Sequence, residues 1–334
     1  MAALIMQQAI VLDNVTKTFG PKVAVRDLDL VLPQGSMYGF IGPNGAGKTT
    51  TIRMIMSILF PDRGEISVLG CRSALDAKDR IGYLPEERGV YRKMKVGSFL
   101  AYIGRLKGVS RTEVRPRVRD WLGRVGLAEV ENKRCEELSK GMQQKVQFIA
   151  AVLHKPDLLI LDEPFSGLDP INMRLLRELI LEQHQNGATV IFSTHVMVQA
   201  EEICDHVVMI NDGDKVLDDA LSSIRARFDP RVVRFEPLDP EAAPDRIAAL
   251  GEVESVERAR THWDVFLRKG ADPARVMTGI VSAVTPRRIE LHRPTLEDVF
   301  IEMVTGRGGT RAEEVERLRA AVGPESGAAA GAEG

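Results

Sequence analysis

Gly42–Thr50 reads GPNGAGKTT and lies between the apolar run MYGFI at 37–41 and the run TIRMIMSILF at 51–60. It matches the phosphate-binding loop G-x-x-x-x-G-K-[ST] at all four fixed positions, in the strand–loop–helix setting the motif requires. Glycines 42, 45 and 47 free the backbone to turn successive N–H groups inward around anionic oxygens. The positive end of the following helix faces the same point. Lys48 is placed to reach the β- and γ-phosphates of a nucleotide, and the Thr49 hydroxyl to sit on Mg²⁺. A tight glycine-rich turn is the plainer reading, but it accounts for neither the lysine nor the hydroxyl.

Outward from this loop, apolar positions alternate from Ala9 to Leu32 on either side of KTFGPK, which predicts antiparallel strands around a turn. Phe19 falls on that connection, where an aromatic can stack on a base or tuck into a sheet edge. Downstream, KVGSFLAYIGRLKG and TEVRPRVRDWLGRVGL carry apolar residues three and four apart, predicting a helical subdomain over about 96–132. Pro116 fits only in a first helical turn.

LLIL at 158–161 is wholly apolar, as a buried parallel strand is, and runs into Asp162 and Glu163. Two carboxylates there are costly unless a cation meets them. That edge of an α/β sheet is where ligands bind, so Asp162 is expected to hold Mg²⁺ and Glu163 to orient and deprotonate a water. His195 follows the strand ATVIFST at the same edge and is expected to sense phosphate. The other five histidines are expected to be ordinary surface residues.

These residues, with LSKGMQQ at 138–144, LLILDEP at 158–164, SGLD at 166–169 and STH ending at 195, resemble in order and spacing the nucleotide-binding subunit of ABC transporters over about residues 9–219. The resemblance implies a P-loop ABC-type ATPase, α/β in class, with an antiparallel β subdomain and a helical subdomain. It implies that Gly42, Pro43, Asn44, Gly45, Ala46, Gly47, Lys48, Thr49 and Thr50 bind the phosphates of ATP. Phe19 would stack on adenine, Thr49 and Asp162 would hold Mg²⁺, Glu163 would be the general base and His195 would contact the γ-phosphate. Ser139 and Gly141 would contact ATP held by an opposite subunit, with Asp169 at the dimer interface. Two positions depart from the family pattern. Lys140 and Met142 stand in the signature that usually reads LSGGQ, and Glu86 stands where a glutamine is usual and would be a further Mg²⁺ ligand.

From about residue 220, RVVRFEP, DPEAAPDRIAALG, GEVESVERA, THWDVFLRK, PARVMTGIVSA and RRIELHR read as strand, helix, strand, strand, helix, strand, the order of a small α+β ferredoxin-like domain. PTLEDVFIEMVTG closes it as an amphipathic helix. This part resembles the C-terminal extension of ATPases serving ABC-2-type exporters, including drug-resistance and sodium-extrusion systems. The expected organisation is a nucleotide-binding domain at 1–219, a connector and accessory domain at 220–306, and a largely disordered tail at 307–334.

A net charge of −2 over 334 residues argues against nonspecific nucleic-acid binding. The three cysteines are far apart in sequence and read as inert buried thiols. No apolar run approaches the ~20 residues that span a bilayer, and the N-terminus lacks a signal-peptide pattern. The resemblance implies integral membrane permease subunits as partners, a homodimer or a paralogous ATPase partner, and a cytoplasmic location on the inner face of the membrane. A soluble ABC-type ATPase acting on a ribosome or nucleic-acid complex is the alternative, against which stand the single phosphate loop and the absence of sustained heptads.

Overall fold

The computed structural model describes residues 7–87, 89–227, 232–239, 245–259, 261–292 and 295–305; the start of the chain and the 307–334 tail expected to be disordered lie outside them. The first strands obey their alternating pattern. β1 (Gln8–Phe19) and β2 (Lys22–Pro33) form an antiparallel hairpin, with Ile10, Leu12, Val15, Val25, Leu28 and Leu30 buried. β4 (Arg63–Val68) pairs antiparallel with the other edge of β1 and completes a three-stranded sheet.

The central sheet contains β3 (Met37–Ile41), β5 (Ile81–Leu84), β6 (Leu158–Asp162), β7 (Thr189–Thr194), β8 (His206–Asn211) and β9 (Asp214–Ala220), in the order β5-β6-β7-β3-β8-β9. Every residue of β3, β6 and β7 is buried, which is why MYGFI, LLIL and VIF show no polar alternation within them. All pairings are parallel except the β8–β9 hairpin. Four neighbouring parallel strands, β5, β6, β7 and β3, therefore deliver the segments that follow them to one edge. Those segments contain Glu86, Glu163, His195 and the phosphate loop.

Helices cover this sheet. α1 (Lys48–Ile55) springs from the phosphate loop and stops well before the end of its apolar run, where Ser57 takes a left-handed φ of 55°. α2 (Val96–Leu106) and α3 (Val114–Arg124) lie inside the expected helical subdomain, and Pro116 falls in the first turn of α3. α4 (Lys140–Val152) begins at the signature segment, α5 (Pro170–Gln185) follows SGLD, and α6 (Met197–Ile203) completes the set; α7 (Leu221–Arg227) comes after β9 at the boundary of the two units. Two expectations fail, at His154 and at Cys71. His154 is not a surface residue: its Nε2 lies 3.2 Å from the Ile81 carbonyl oxygen and its Nδ1 is buried without a partner, because it stands between α4 and the start of β5. Cys135 and Cys204 are buried, whereas Cys71 is half-buried.

A second unit is formed by β10 (Val232–Pro237), α8 (Asp245–Ala248), β11 (Val253–Arg258), β12 (Trp263–Leu267), α9 (Pro273–Ala283) and β13 (Pro286–His292), with α10 (Leu296–Thr305) after it. Its sheet is antiparallel throughout, in the order β11-β12-β10-β13, the split βαβ arrangement of a ferredoxin-like domain. Val233, Phe235, Val265 and Leu267 meet Ile247, Val276 and Ile280 in a small core of its own. The chain divides into compact units at Leu221/Ser222 and again at Val299/Phe300. Among the described residues no helix is long and apolar enough to cross a membrane.

Candidate nucleotide site

The phosphate loop owes its shape to two glycines. Gly42 has φ 149° and a Cβ there would stand 2.0 Å from the Ile210 carbonyl oxygen; Gly47 has φ 115° and a Cβ would meet the Ala24 carbonyl oxygen at 2.4 Å. Neither position accepts a side chain without moving backbone. Beneath the loop, Ala46 donates its N–H to the Pro43 carbonyl at 3.2 Å, and its own carbonyl accepts from Gly213 at 2.9 Å. Lys48 is buried, and its ammonium donates to the carbonyls of Gly42 at 2.7 Å and Pro43 at 3.0 Å. Burial lowers the Lys48 pKa, and the carboxylates of Glu163, Asp162 and Glu86 pull it back up.

A cavity of about 330 Å³ opens beside the loop, and its lining includes Phe19, Lys22, Lys48, Thr49, Glu86 and Glu163. Phe19 is half-exposed, with the Lys17 ammonium 5.6 Å from its ring centroid. That exposure leaves ring surface accessible, as base stacking requires.

Asp162 is wholly buried at the end of β6. Its Oδ1 accepts from the Ser193 hydroxyl and from Thr49 Oγ1 at 3.3 Å, while its Oδ2 is buried without a partner. Burial raises the Asp162 pKa, and the bonds from Ser193 and Thr49 work against that shift. An orphaned carboxylate oxygen beside a threonine hydroxyl suits a hard cation. No group of three or more His, Cys, Asp and Glu suited to a metal exists among the described residues.

Glu163, the next residue, has the left-handed φ of 48° and so points differently from Asp162. Its N–H donates to the carbonyl and hydroxyl oxygens of Ser193, both at 3.2 Å. Its Oε1 accepts the backbone N–H of His195 at 2.9 Å and lies 2.8 Å from His195 Nδ1. A carboxylate acceptor puts a proton on Nδ1; the other ring nitrogen, Nε2, is buried and without a partner. Glu86 lines the same cavity as Glu163, and partial burial followed by repulsion from Asp162 and Glu163 raises its pKa.

Ser139, Gly141 and Asp169 do not line this cavity. Ser139 caps α4, accepting from Met142 N–H at 3.3 Å, and Asp169 caps α5, accepting from Asn172 N–H at 2.9 Å. A Cβ on Gly141 would lie 3.5 Å from the Leu168 side chain, so the signature and SGLD segments are neighbours. The geometry adds two residues the sequence did not single out. Ser193 joins Asp162 to Glu163, and its only signal was its place in STH, while Lys22 reaches the cavity from the strand after Phe19.

A glycine-cradled lysine beside a buried aspartate and a histidine-anchored glutamate, at the carboxyl edge of a parallel sheet, defines a P-loop ATPase. The ABC transporter family profile matches residues 25–166, and the profile of the C-terminal domain of DrrA1-3-like ATP-binding proteins matches residues 220–304. The chain is 42% identical to the uncharacterized ABC transporter ATP-binding protein YhaQ of Bacillus subtilis, over 88% of this chain and 97% of that one. It is 34% identical to Nod factor export ATP-binding protein I of Paraburkholderia xenovorans, over 90% and 98% of the two chains. A solved ATP-binding subunit of an ABC transporter superposes with a TM-score of 0.61 at 32% identity, covering 66% of this chain and 93% of that one. The chain belongs to the family of ABC transporter ATP-binding proteins. It is an ATP-binding and ATP-hydrolysing subunit.

Proposed function

We propose that this subunit powers an ABC-2-type exporter through ATP-driven closure of a pair of ATPase subunits. The observation that carries this reading is Glu163 anchored by His195 at the edge of the phosphate-loop cavity, one residue after the buried Asp162. Relatives named for export and the match of the C-terminal domain support the exporter part.

In this reading Lys48 and the N–H groups of 42–50 hold the phosphates, Phe19 stacks on adenine, and Thr49 and Asp162 hold Mg²⁺ with Glu86 as a further ligand. When bound, MgATP supplies the anhydride whose hydrolysis drives the cycle. Glu163 takes a proton from the attacking water, and His195 keeps that carboxylate aimed and contacts the γ-phosphate. Ser139 and Gly141 serve the site of the partner, a second copy or a paralogous ATPase, and Asp169 lies where the two subunits meet. Residues 1–219 form the ATPase domain, with its helical subdomain at 96–132, and residues 220–306 the accessory domain. Integral membrane permease subunits hold the pair on the cytoplasmic face of the membrane.

The test is to purify the full chain with its permease and measure ATP hydrolysis in lipid. Turnover that depends on the permease and on both phosphate loops is expected. ATPase activity indifferent to any permease, together with cosedimentation with ribosomes, would overturn the transport reading.

A further inference from the structure

Helix α4 ties the signature segment to its surroundings through polar side chains. Lys145 Nζ donates to the Val125 carbonyl at 2.9 Å, at the carboxyl end of α3, and Gln147 Nε2 donates to the Glu87 carbonyl at 3.4 Å. Between the signature and these two stands Gln144, 4% exposed, whose Nε2 donates to the Pro164 carbonyl at 2.9 Å. Pro164 is the residue after Glu163.

That bond has a particular consequence for Glu163. A glutamate at φ 48° sits in a region an L-residue leaves unless its surroundings hold it there. On the amino side the hold comes from Ser193, which accepts the Glu163 N–H. On the carboxyl side the Glu163 carbonyl accepts from Ser166 N–H at 3.1 Å, within the same short turn. Pro164 has no N–H to offer, so its carbonyl is its only backbone hydrogen-bonding group. Gln144 takes it. The turn is thereby fixed to a long helix rather than to itself.

We infer that Gln144 is a positioning residue for hydrolysis: its amide holds the Pro164 carbonyl and so keeps the Glu163 carboxylate aimed at the cavity and at His195. The inference rests on Glu163 being the general base. Because α4 also begins at Ser139, the same amide links the signature of each subunit to the base of that subunit. Displacement of the helix would reach Glu163 through one hydrogen bond.

The experiment compares wild type, Gln144→Leu, Lys145→Met and Glu163→Gln in the full chain, measuring kcat, KM for MgATP, binding of a fluorescent ATP analogue and melting temperature. Lys145→Met removes a bond from the same helix but not from the Glu163 turn, so it reports generic loosening of α4. Gln144→Leu is expected to lower kcat about 10- to 100-fold, the scale of a misaimed catalytic group, with KM and analogue affinity within about twofold of wild type. Gln144→Met, closer in length, is expected to do the same and stands in should the leucine variant not fold. Wild-type kcat in either folded variant, a loss confined to KM, or an equal loss in Lys145→Met overturns the inference. Wild-type turnover in Glu163→Gln would instead remove the reading beneath it.

Discussion

Glu163 and His195 make two contacts through a single oxygen: Oε1 accepts the His195 backbone N–H at 2.9 Å and lies 2.8 Å from the imidazole Nδ1. The backbone contact survives any substitution of the histidine side chain, whereas the ring contact and the buried Nε2 do not. His195→Ala should therefore leave ATP binding close to wild type and lower kcat by about 10²-fold or more, the contribution of an aligned proton-transfer group. Steady-state kinetics beside a binding isotherm separate the two; loss of binding with kcat retained would contradict the assignment.

Lys48 donates to the phosphate loop's own carbonyls; burial lowers its pKa, and the carboxylates of Glu163, Asp162 and Glu86 oppose that shift. Lys48→Met keeps the buried stem and removes the ammonium. A hydrogen bond to a charged group contributes about 1.5–3 kcal/mol, so the dissociation constant for MgATP should rise roughly 10- to 150-fold. Titration calorimetry checks this, and an unchanged constant would exclude Lys48 from the phosphate site.

Glu86 stands against Asp162 and Glu163, and both burial and their charges raise its pKa. A raised carboxyl pKa means that the ionised form is less favourable in the folded protein than in the unfolded chain. Ionisation therefore costs stability as pH rises through and above the unfolded value. Glu86→Gln should make the nucleotide-free protein more stable at neutral pH, and the gain should vanish as pH falls below the ordinary glutamate range. Denaturant melts at neutral and acid pH measure the difference. A less stable glutamine variant at neutral pH would show that Glu86 is compensated by groups other than Lys48.

His154 has a pKa lowered to about 4, chiefly by burial and then by the Lys107 cation. The unfolded chain binds a proton near pH 6.5 and the folded chain only near pH 4, so stability is full above 6.5 and declines as pH falls between the two. His154→Gln keeps a donor for the Ile81 carbonyl without the titration. Between pH 7.5 and pH 5 the wild type should lose about 2 kcal/mol more than the variant. Parallel urea melts at the two pH values test this, and identical losses would contradict the burial of Nδ1.

Much of the site is legible because its chemistry demands fixed residue types. Gly42, Gly47 and Lys48 announce a phosphate loop through backbone geometry that no other residues supply, and LLIL before Asp162 announces a buried strand ending in charge. Ser139 and Asp169 come only from the family resemblance; in the structure each caps a helix. The roles of Ser193, Lys22 and Gln144 are not legible: Ser193 stands in STH and Gln144 in LSKGMQQ, but each acts at a place distant in the chain that its own neighbourhood does not name. His154 misled for the same reason: its flanks look polar, but the start of β5 covers its ring. In the second unit the alternation gave strands and helices in the right order, while the pairing β11-β12-β10-β13 depends on long-range contacts between faces that look alike in sequence.

The central claim is that Glu163 takes the proton from the attacking water in a phosphate-loop site. Glu163→Gln preserves the shape of the side chain and removes its basicity, so ATP affinity and kcat of this single variant test the claim most directly. The expected result is MgATP binding at or above wild-type strength with kcat lowered about 10²- to 10⁴-fold. Wild-type turnover in Glu163→Gln would contradict the account.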